Sequence, residues 1–180
     1  MIIYYRAFFT HLGKFCLFSN KDGICGLVFP DLASKELLPL SKAHCLNHFR
    51  RHLGKFSLKE ANHLDPIIAQ IRAYLKGDQR SLSTTLNLIG TPFQKRVWQA
   101  IKDIPYGETI SYKKLAQVVN CKGYRAVARA CSANPIPLFI PCHRVVGERE
   151  VGGFYPGTSW KLFLLKLENI LNFGQTTLTR

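Results

Sequence analysis

Cys142 and His143 stand side by side in the run Leu138-Phe-Ile-Pro-Cys-His-Arg-Val-Val146. A thiol with a pKa near 8.5 is only a few per cent thiolate at neutral pH, and a nearby base raises that fraction. The apolar neighbours make Pro135 to Val146 read as a buried strand, interrupted at Pro141. On a regular strand, adjacent side chains point to opposite faces. Cys142 and His143 can then cooperate only if the backbone turns at Pro141 or a water joins them. The imidazole also needs a third group to orient it, and Glu168 on the final helix is the candidate. Taken alone, the pair fits a structural thiol beside a surface imidazole better than a catalytic one.

The elements that must position these residues can be read from periodicity. Thr91 is a helix cap, Pro92 suits the first helical position, and Gln94 completes a capping box. The helix that follows carries Phe93, Val97, Trp98 and Ile101 on one side. Ser111 caps a short helix, roughly Tyr112 to Val119, and a second runs from Tyr124 to Ala133 after the turn Asn120-Cys-Lys-Gly123. Two short helices around a glycine-containing turn form a helix-turn-helix pattern. The second is rich in small residues, Ala126, Ala128, Ala130, Ser132 and Ala133, with Arg125 and Arg129 among them. That composition fits either a tightly packed helix pair or a recognition helix that approaches DNA closely. A loop, Gly152 to Gly157, leads to a last helix capped by Thr158 or Ser159 and continuing to about Leu171.

Before Thr91, the chain reads as two strands from Phe15 to Phe29 around the turn Ser19 to Gly23. An amphipathic helix over His63 to Lys76 follows, with Asp65 as cap and Gly77 as stop. Ser81 to Gly90 reads as a further strand and then a linker. The fold class is therefore an α/β N-terminal domain (small sheet plus helix) and a mostly α C-terminal domain with a winged-helix-like helix-turn-helix. The domains are expected at 1–83 and 91–180, joined by a linker over 84–90.

The formal net charge is +14, from 25 Lys and Arg against 11 Asp and Glu. The excess is spread along the chain, so neither half is a basic tail. A basic folded protein favours polyanions, and the DNA backbone is the first candidate. No stretch reaches the roughly 18 uncharged apolar residues of a membrane helix, and no signal-peptide pattern opens the chain. A cytoplasmic protein is expected, nucleoid-associated if bacterial. Six cysteines occur without any Cys-x-x-Cys pair, so neither a disulfide framework nor a metal site is expected.

Pro141-Cys-His-Arg-Val145 resembles the signature of the O6-alkylguanine-DNA alkyltransferases. Gly90-Thr-Pro-Phe-Gln94, Val97-Trp98, Ile104-Pro-Tyr-Gly-Glu-Thr109, Ser111-Tyr112, Leu115-Ala116, Arg125-Ala-Val127, Asn134-Pro135 and Gly152-Gly153 match the same family in order. The resemblance covers about Gly90 to Ile170, and more loosely the part before it. It implies stoichiometric transfer of an alkyl group from O6-alkylguanine in double-stranded DNA, and from O4-alkylthymine, to Cys142, with base flipping, no cofactor and a monomeric protein. His143 would act as base through a water, held by Glu168. Asn134 would brace the turn before the active-site strand. Tyr112 would help protonate the departing base. Arg125 would fill the gap left by the flipped nucleotide, with Ala126, Ala128, Arg129 and Ser132 on the minor-groove face. Tyr112, Val145, Phe154 and Tyr155 would line the pocket. Phe154 stands where the family usually has Tyr, Arg129 where it commonly has a small residue, and the connection from Tyr112 to Arg125 is one residue short. These departures bear on substrate range. The competing readings are a binding-only lesion sensor, a Cys-His-Glu hydrolase and a helix-turn-helix regulator.

Overall fold

The computed structural model describes residues 1–37, 39–148 and 150–170. The chain divides into two compact units, Met1–Gly90 and Thr91–Arg180.

The first unit is built on strands β1 (Ile2–Thr10), β2 (Gly13–Asn20), β3 (Gly23–Val28) and β4 (Ser57–Glu60), in the order β3-β2-β1-β4. β1 and β3 flank β2 in antiparallel fashion, and β4 runs parallel to β1. β2 is buried along almost its whole length, the mark of a central strand covered on both faces. The turn expected at Ser19 to Gly23 forms, with the Asp22 amide donating to Asn20 Oδ1 at 2.9 Å and Gly23 at φ 135°. Helix α1 (Pro39–Leu53) buries Cys45 and Phe49 in a core with Ile3, Phe18 and Val28. Helix α2 (Asp65–Lys76) buries Ile68, Ile71, Tyr74 and Leu75, and Gly77 closes it at φ 83°.

Several expectations for this unit change. Asp65 does not cap α2: a 3-10 turn over Asn62–Leu64 precedes it, and Asp65 Oδ1 instead lies 3.4 Å from Arg6 Nε. Ser81 to Gly90 forms no strand, only an isolated bridge between Ile24 and Leu86. The stretch read as a linker lies within the first unit. Its Asn87 amide donates to Ile24 O at 2.8 Å, and Ile89 joins the core with its carbonyl 2.5 Å from His48 Nε2. β1, α1 and β4 were not legible. β1 is largely half-exposed and β4 fully exposed, so neither shows a clean alternation, and the first turn of α1 carries no acidic residue.

In the second unit the Thr91 capping box is present. Thr91 Oγ1 accepts from the Gln94 amide at 3.2 Å, and Gln94 Oε1 accepts from the Thr91 amide at 2.9 Å. Helix α3 (Pro92–Lys102) buries Val97, Trp98 and Ile101, and Trp98 Nε1 donates to Ala130 O at 2.8 Å. That bond ties α3 to α5 (Tyr124–Ser132), the second helix of the helix-turn-helix; the first is α4 (Tyr112–Val118), capped by Ser111. Short strands β5 (Ile110–Ser111) and β6 (Val145–Val146) pair in parallel. Helix α6 (Thr158–Leu167) is the last helix among the described residues. Its cap is Gly157 at φ 114°, without a side-chain bond, rather than Thr158 or Ser159. Leu171, expected near its end, lies outside the described residues. Thr91→Ala removes a satisfied N-cap and is expected to cost about 1 kcal/mol of stability, read from the midpoint of urea unfolding.

Candidate active site

The expected strand over Pro135 to Val146 is not a strand. Its middle is a 3-10 turn, Cys142–Arg144, and only Val145–Val146 pair as β6. Prolines at 135, 137 and 141 remove ladder donors, which rules out a continuous strand. Leu138 sits at φ 74°, a conformation that costs a non-glycine residue roughly 1 kcal/mol or more. Asn134 holds this path in place. Its Nδ2 donates to Ile140 O at 2.9 Å and its Oδ1 accepts from the Ile136 amide at 2.9 Å. The same Nδ2 also lies 3.1 Å from Cys142 Sγ, so the brace touches the sulfur itself.

His143 is fully buried, with Nε2 2.5 Å from Glu168 Oε1. A carboxylate only accepts, so Nε2 carries the proton and donates. Nδ1 is buried and has no hydrogen-bond partner among the described residues, which leaves it able to take a proton. Burial lowers the imidazole's pKa, outweighing the opposing pull of Glu168, so the ring is neutral at pH 7. Glu168 Oε2 accepts from Arg144 Nε at 2.9 Å and from the Gly107 amide at 3.0 Å, and Oε1 accepts from Arg144 Nη2 at 3.1 Å. Burial pushes this carboxyl's pKa up, but the hydrogen bonds from His143 and Arg144 and the Arg144 charge outweigh that and hold it at about 2. Arg144 Nη1 also donates to Ile104 O at 2.6 Å.

Cys142 is 3 % exposed, and burial pushes its thiol up to about 11, against the opposing effects of the Asn134 bond and the Lys161 charge. The resting sulfur is therefore protonated. Above it lies a cavity lined by Tyr112, Cys131, Ser132, Phe154 and Tyr155, with Gly153. Its volume is about 10 Å³, room for roughly one water. A base can reach the sulfur only if a wall moves. Val145, expected in this pocket, does not line it: its side chain is buried, and its carbonyl accepts from Lys161 Nζ at 2.6 Å.

Lys161 escaped the sequence reading. It is completely buried on α6, donates also to Gly153 O at 3.0 Å, and lies 5.6 Å from the Tyr112 ring centre. Burial lowers its pKa to about 8. The Tyr112 hydroxyl donates to the same Gly153 carbonyl at 3.3 Å. A signal for Lys161 did exist: it precedes Glu168 by seven residues, which puts both on one helical face. Arg144 was also missed, although it follows the Cys-His pair directly.

On α5, Arg125, Arg129 and Ser132 are exposed, and Ala126 and Ala128 are half-buried. Ala128 and Ser132 line a larger groove of about 950 Å³ that shares Tyr112, Ser132 and Gly153 with the cavity over the thiol. Phe154 keeps an aromatic wall, its ring 6.1 Å from that of His143.

Residues 92–170 match the family model for the DNA-binding domain of 6-O-methylguanine DNA methyltransferase, and residues 3–88 match the ribonuclease-like domain of the same family. The chain is 46% identical to a methylated-DNA–protein-cysteine methyltransferase of Methanosarcina barkeri, over 92% of this chain and 97% of that protein. For the corresponding protein of Methanosarcina acetivorans the identity is 36%, over 92% and 98%. Among solved structures, Mycobacterium tuberculosis O6-methylguanine methyltransferase superposes with a TM-score of 0.71 at 30% identity, covering 96% of each chain. The complex of Mycobacterium tuberculosis OGT with DNA gives 0.72 at 30% identity, covering 92% of each.

The buried Glu168 makes the site sensitive to acid. Its pKa in the folded protein lies below the ordinary 4.5, so its contribution is complete above that value and is lost as pH falls from about 4.5 towards 2. The melting temperature is expected to drop over that range, and Glu168→Gln is expected to flatten the drop. A variant as acid-sensitive as the wild type would contradict the assignment.

Proposed function

The chain belongs to the 6-O-methylguanine DNA methyltransferase family, and from that premise we propose that Cys142 is the alkyl acceptor, ionised by His143 through a bridging water. The protein is a DNA-repair methyltransferase that binds DNA. The observation that supports the site assignment is His143 held at Nε2 by Glu168, with its other ring nitrogen buried and without a hydrogen-bond partner among the described residues.

The Cys142 proton passes through the water to His143 Nδ1, and the imidazolium formed is stabilised by Glu168. The sulfur attacks the alkyl carbon of O6-alkylguanine, a C–S bond forms, and the C–O bond breaks. The electrons go to the guanine oxygen, and the guanine anion so formed is a poor leaving group unless a donor neutralises it. The Tyr112 hydroxyl, released from Gly153, supplies that donor, and Lys161 next to it holds the phenol in place. The thioether formed is stable, so each molecule reacts once. O4-alkylthymine is the second substrate this pocket is expected to take.

An alkyl group inside a duplex is out of reach, so the nucleotide must leave the stack, at a cost of a few kcal/mol that falls when the lesion pairs badly. Arg125, exposed at the start of α5, fills the gap. Ala126, Ala128 and Ser132 permit close approach in the minor groove, and Arg129 adds a phosphate contact. The protein acts as a monomer. Among the described residues no helix is long and apolar enough to cross a membrane.

Incubation with a methylguanine-containing duplex should add one methyl group to the Cys142 peptide, read by mass spectrometry, and Cys142→Ala should abolish the gain while keeping DNA binding. Repeated turnover would point to a hydrolase instead. The pH profile separates the two ways of ionising the thiol. With His143 already neutral, the single-turnover rate should be flat between pH 7 and 8. A thiol of pKa about 11 ionised by solvent alone would give roughly a tenfold rise over that unit.

A further inference from the structure

Tyr124 opens α5 with 53 % of its surface exposed, while the other large residues of that helix's inner face, Val127 and Cys131, are buried. Tyr124, Ala128 and Ser132 are spaced at i, i+4 and i+8 and form one stripe along the helix. All three line the 950 Å³ groove, and Ser132 lines the cavity over Cys142 as well. The stripe therefore runs from the tip of the helix-turn-helix to the thiol. Arg125 does not line the groove. Successive helical residues diverge by about 100°, so Tyr124 and Arg125 face different parts of whatever docks against the start of α5.

The groove's charges say what fits beside the ring. Lys113 and Lys122 line it, and so do Glu148 and Glu150, with Glu148 3.5 Å from Lys113. These charges balance, so the groove as a whole does not select for a phosphate, and the ring itself offers a surface to an uncharged base. An exposed aromatic face is a stacking platform for any base, since every base has a π face. Extruding one nucleotide strips a stacking partner from each neighbour on its strand, and that leaves such a face in need of cover.

We propose that Tyr124 is a DNA-positioning residue whose ring stacks on the base next to the lesion on the damaged strand, while Arg125 fills the gap itself. The proposal rests on the repair reading above. It divides the work of holding the opened duplex between a cation in the gap and an aromatic ring on the groove side. Tyr124 does not touch the reacting atoms. It acts by holding the strand so that the extruded base stays aligned with the route to Cys142.

The test is a cycle between protein and DNA. Single-turnover methyl transfer is measured for wild type, Tyr124→Phe and Tyr124→Ala on three duplexes. One is intact, and the others carry an abasic residue immediately 5′ or 3′ of the methylguanine on the same strand. On the intact duplex Tyr124→Ala should slow transfer by roughly 5- to 150-fold, the range for losing one base–aromatic stack, and Tyr124→Phe should keep the wild-type rate. On one of the two abasic duplexes the Ala variant and the wild type should become equal. An equal loss on all three duplexes, or no loss on any, would overturn the proposal. If the wild type failed to alkylate Cys142 on any duplex, the repair reading would fall instead, and the two failures are thus distinct.

Discussion

A single buried carboxylate organises the second unit. Glu168, just past the end of α6, accepts hydrogen bonds from His143 Nε2, from Arg144 Nε and Nη2, and from the Gly107 amide. It thereby joins α6, the turn carrying Cys142 and the turn after α3. A charge in the interior is costly unless it is paired and fully hydrogen-bonded. Here Arg144 supplies the opposite charge and His143 and Gly107 supply further donors. The consequence for chemistry is a fixed imidazole: with Nε2 committed to Glu168, only Nδ1 is left to exchange a proton. Replacing the carboxylate would leave Arg144 as an unpaired buried cation, so the orientation of the imidazole and the local stability share one cause.

The thiol is kept unreactive in the same structure that prepares it to react. Burial pushes Cys142 up to about 11, while Asn134 Nδ2 at 3.1 Å from Sγ pulls the other way and is positioned to stabilise the thiolate once it forms. The water-sized cavity above the sulfur excludes larger electrophiles until a wall moves. The wall nearest Tyr112 is tied to it: one carbonyl, Gly153 O, accepts from both the Tyr112 hydroxyl and Lys161 Nζ. In the proposed reaction, a base entering the pocket would compete for the Tyr112 hydroxyl that Gly153 O now holds. A protein that reacts once benefits from a nucleophile protected in this way.

Much of this was legible in the residues. The Thr91 cap and the helix pair around Asn120 to Gly123 follow from spacing and reappear as local structure, and the expected pairing of His143 with Glu168 is a hydrogen bond. What could not be read was how the backbone carries Cys142. An apolar run suggests a strand, yet Asn134 and three prolines fold it into turns, with Leu138 at φ 74°. Burial depends on that tertiary path, so nothing in the spacing of Val145 tells that it is fully buried and does not line the cavity over the thiol. Lys161 was overlooked because lysines are mostly exposed; only its place on the Glu168 face marks it. In the first unit, β1 and β4 escaped because their faces are not cleanly apolar on one side.

His143 rests neutral, with its proton on Nε2 and its buried Nδ1 without a hydrogen-bond partner among the described residues. Nitrogen NMR of selectively labelled histidine tests this directly at pH 7, with the His143 signals identified by comparison with a His143→Gln sample. A protonated Nε2 and an unprotonated, pyridine-type Nδ1 are the expected result. A protonated Nδ1, alone or together with Nε2, would leave Cys142 without its base and would contradict the account.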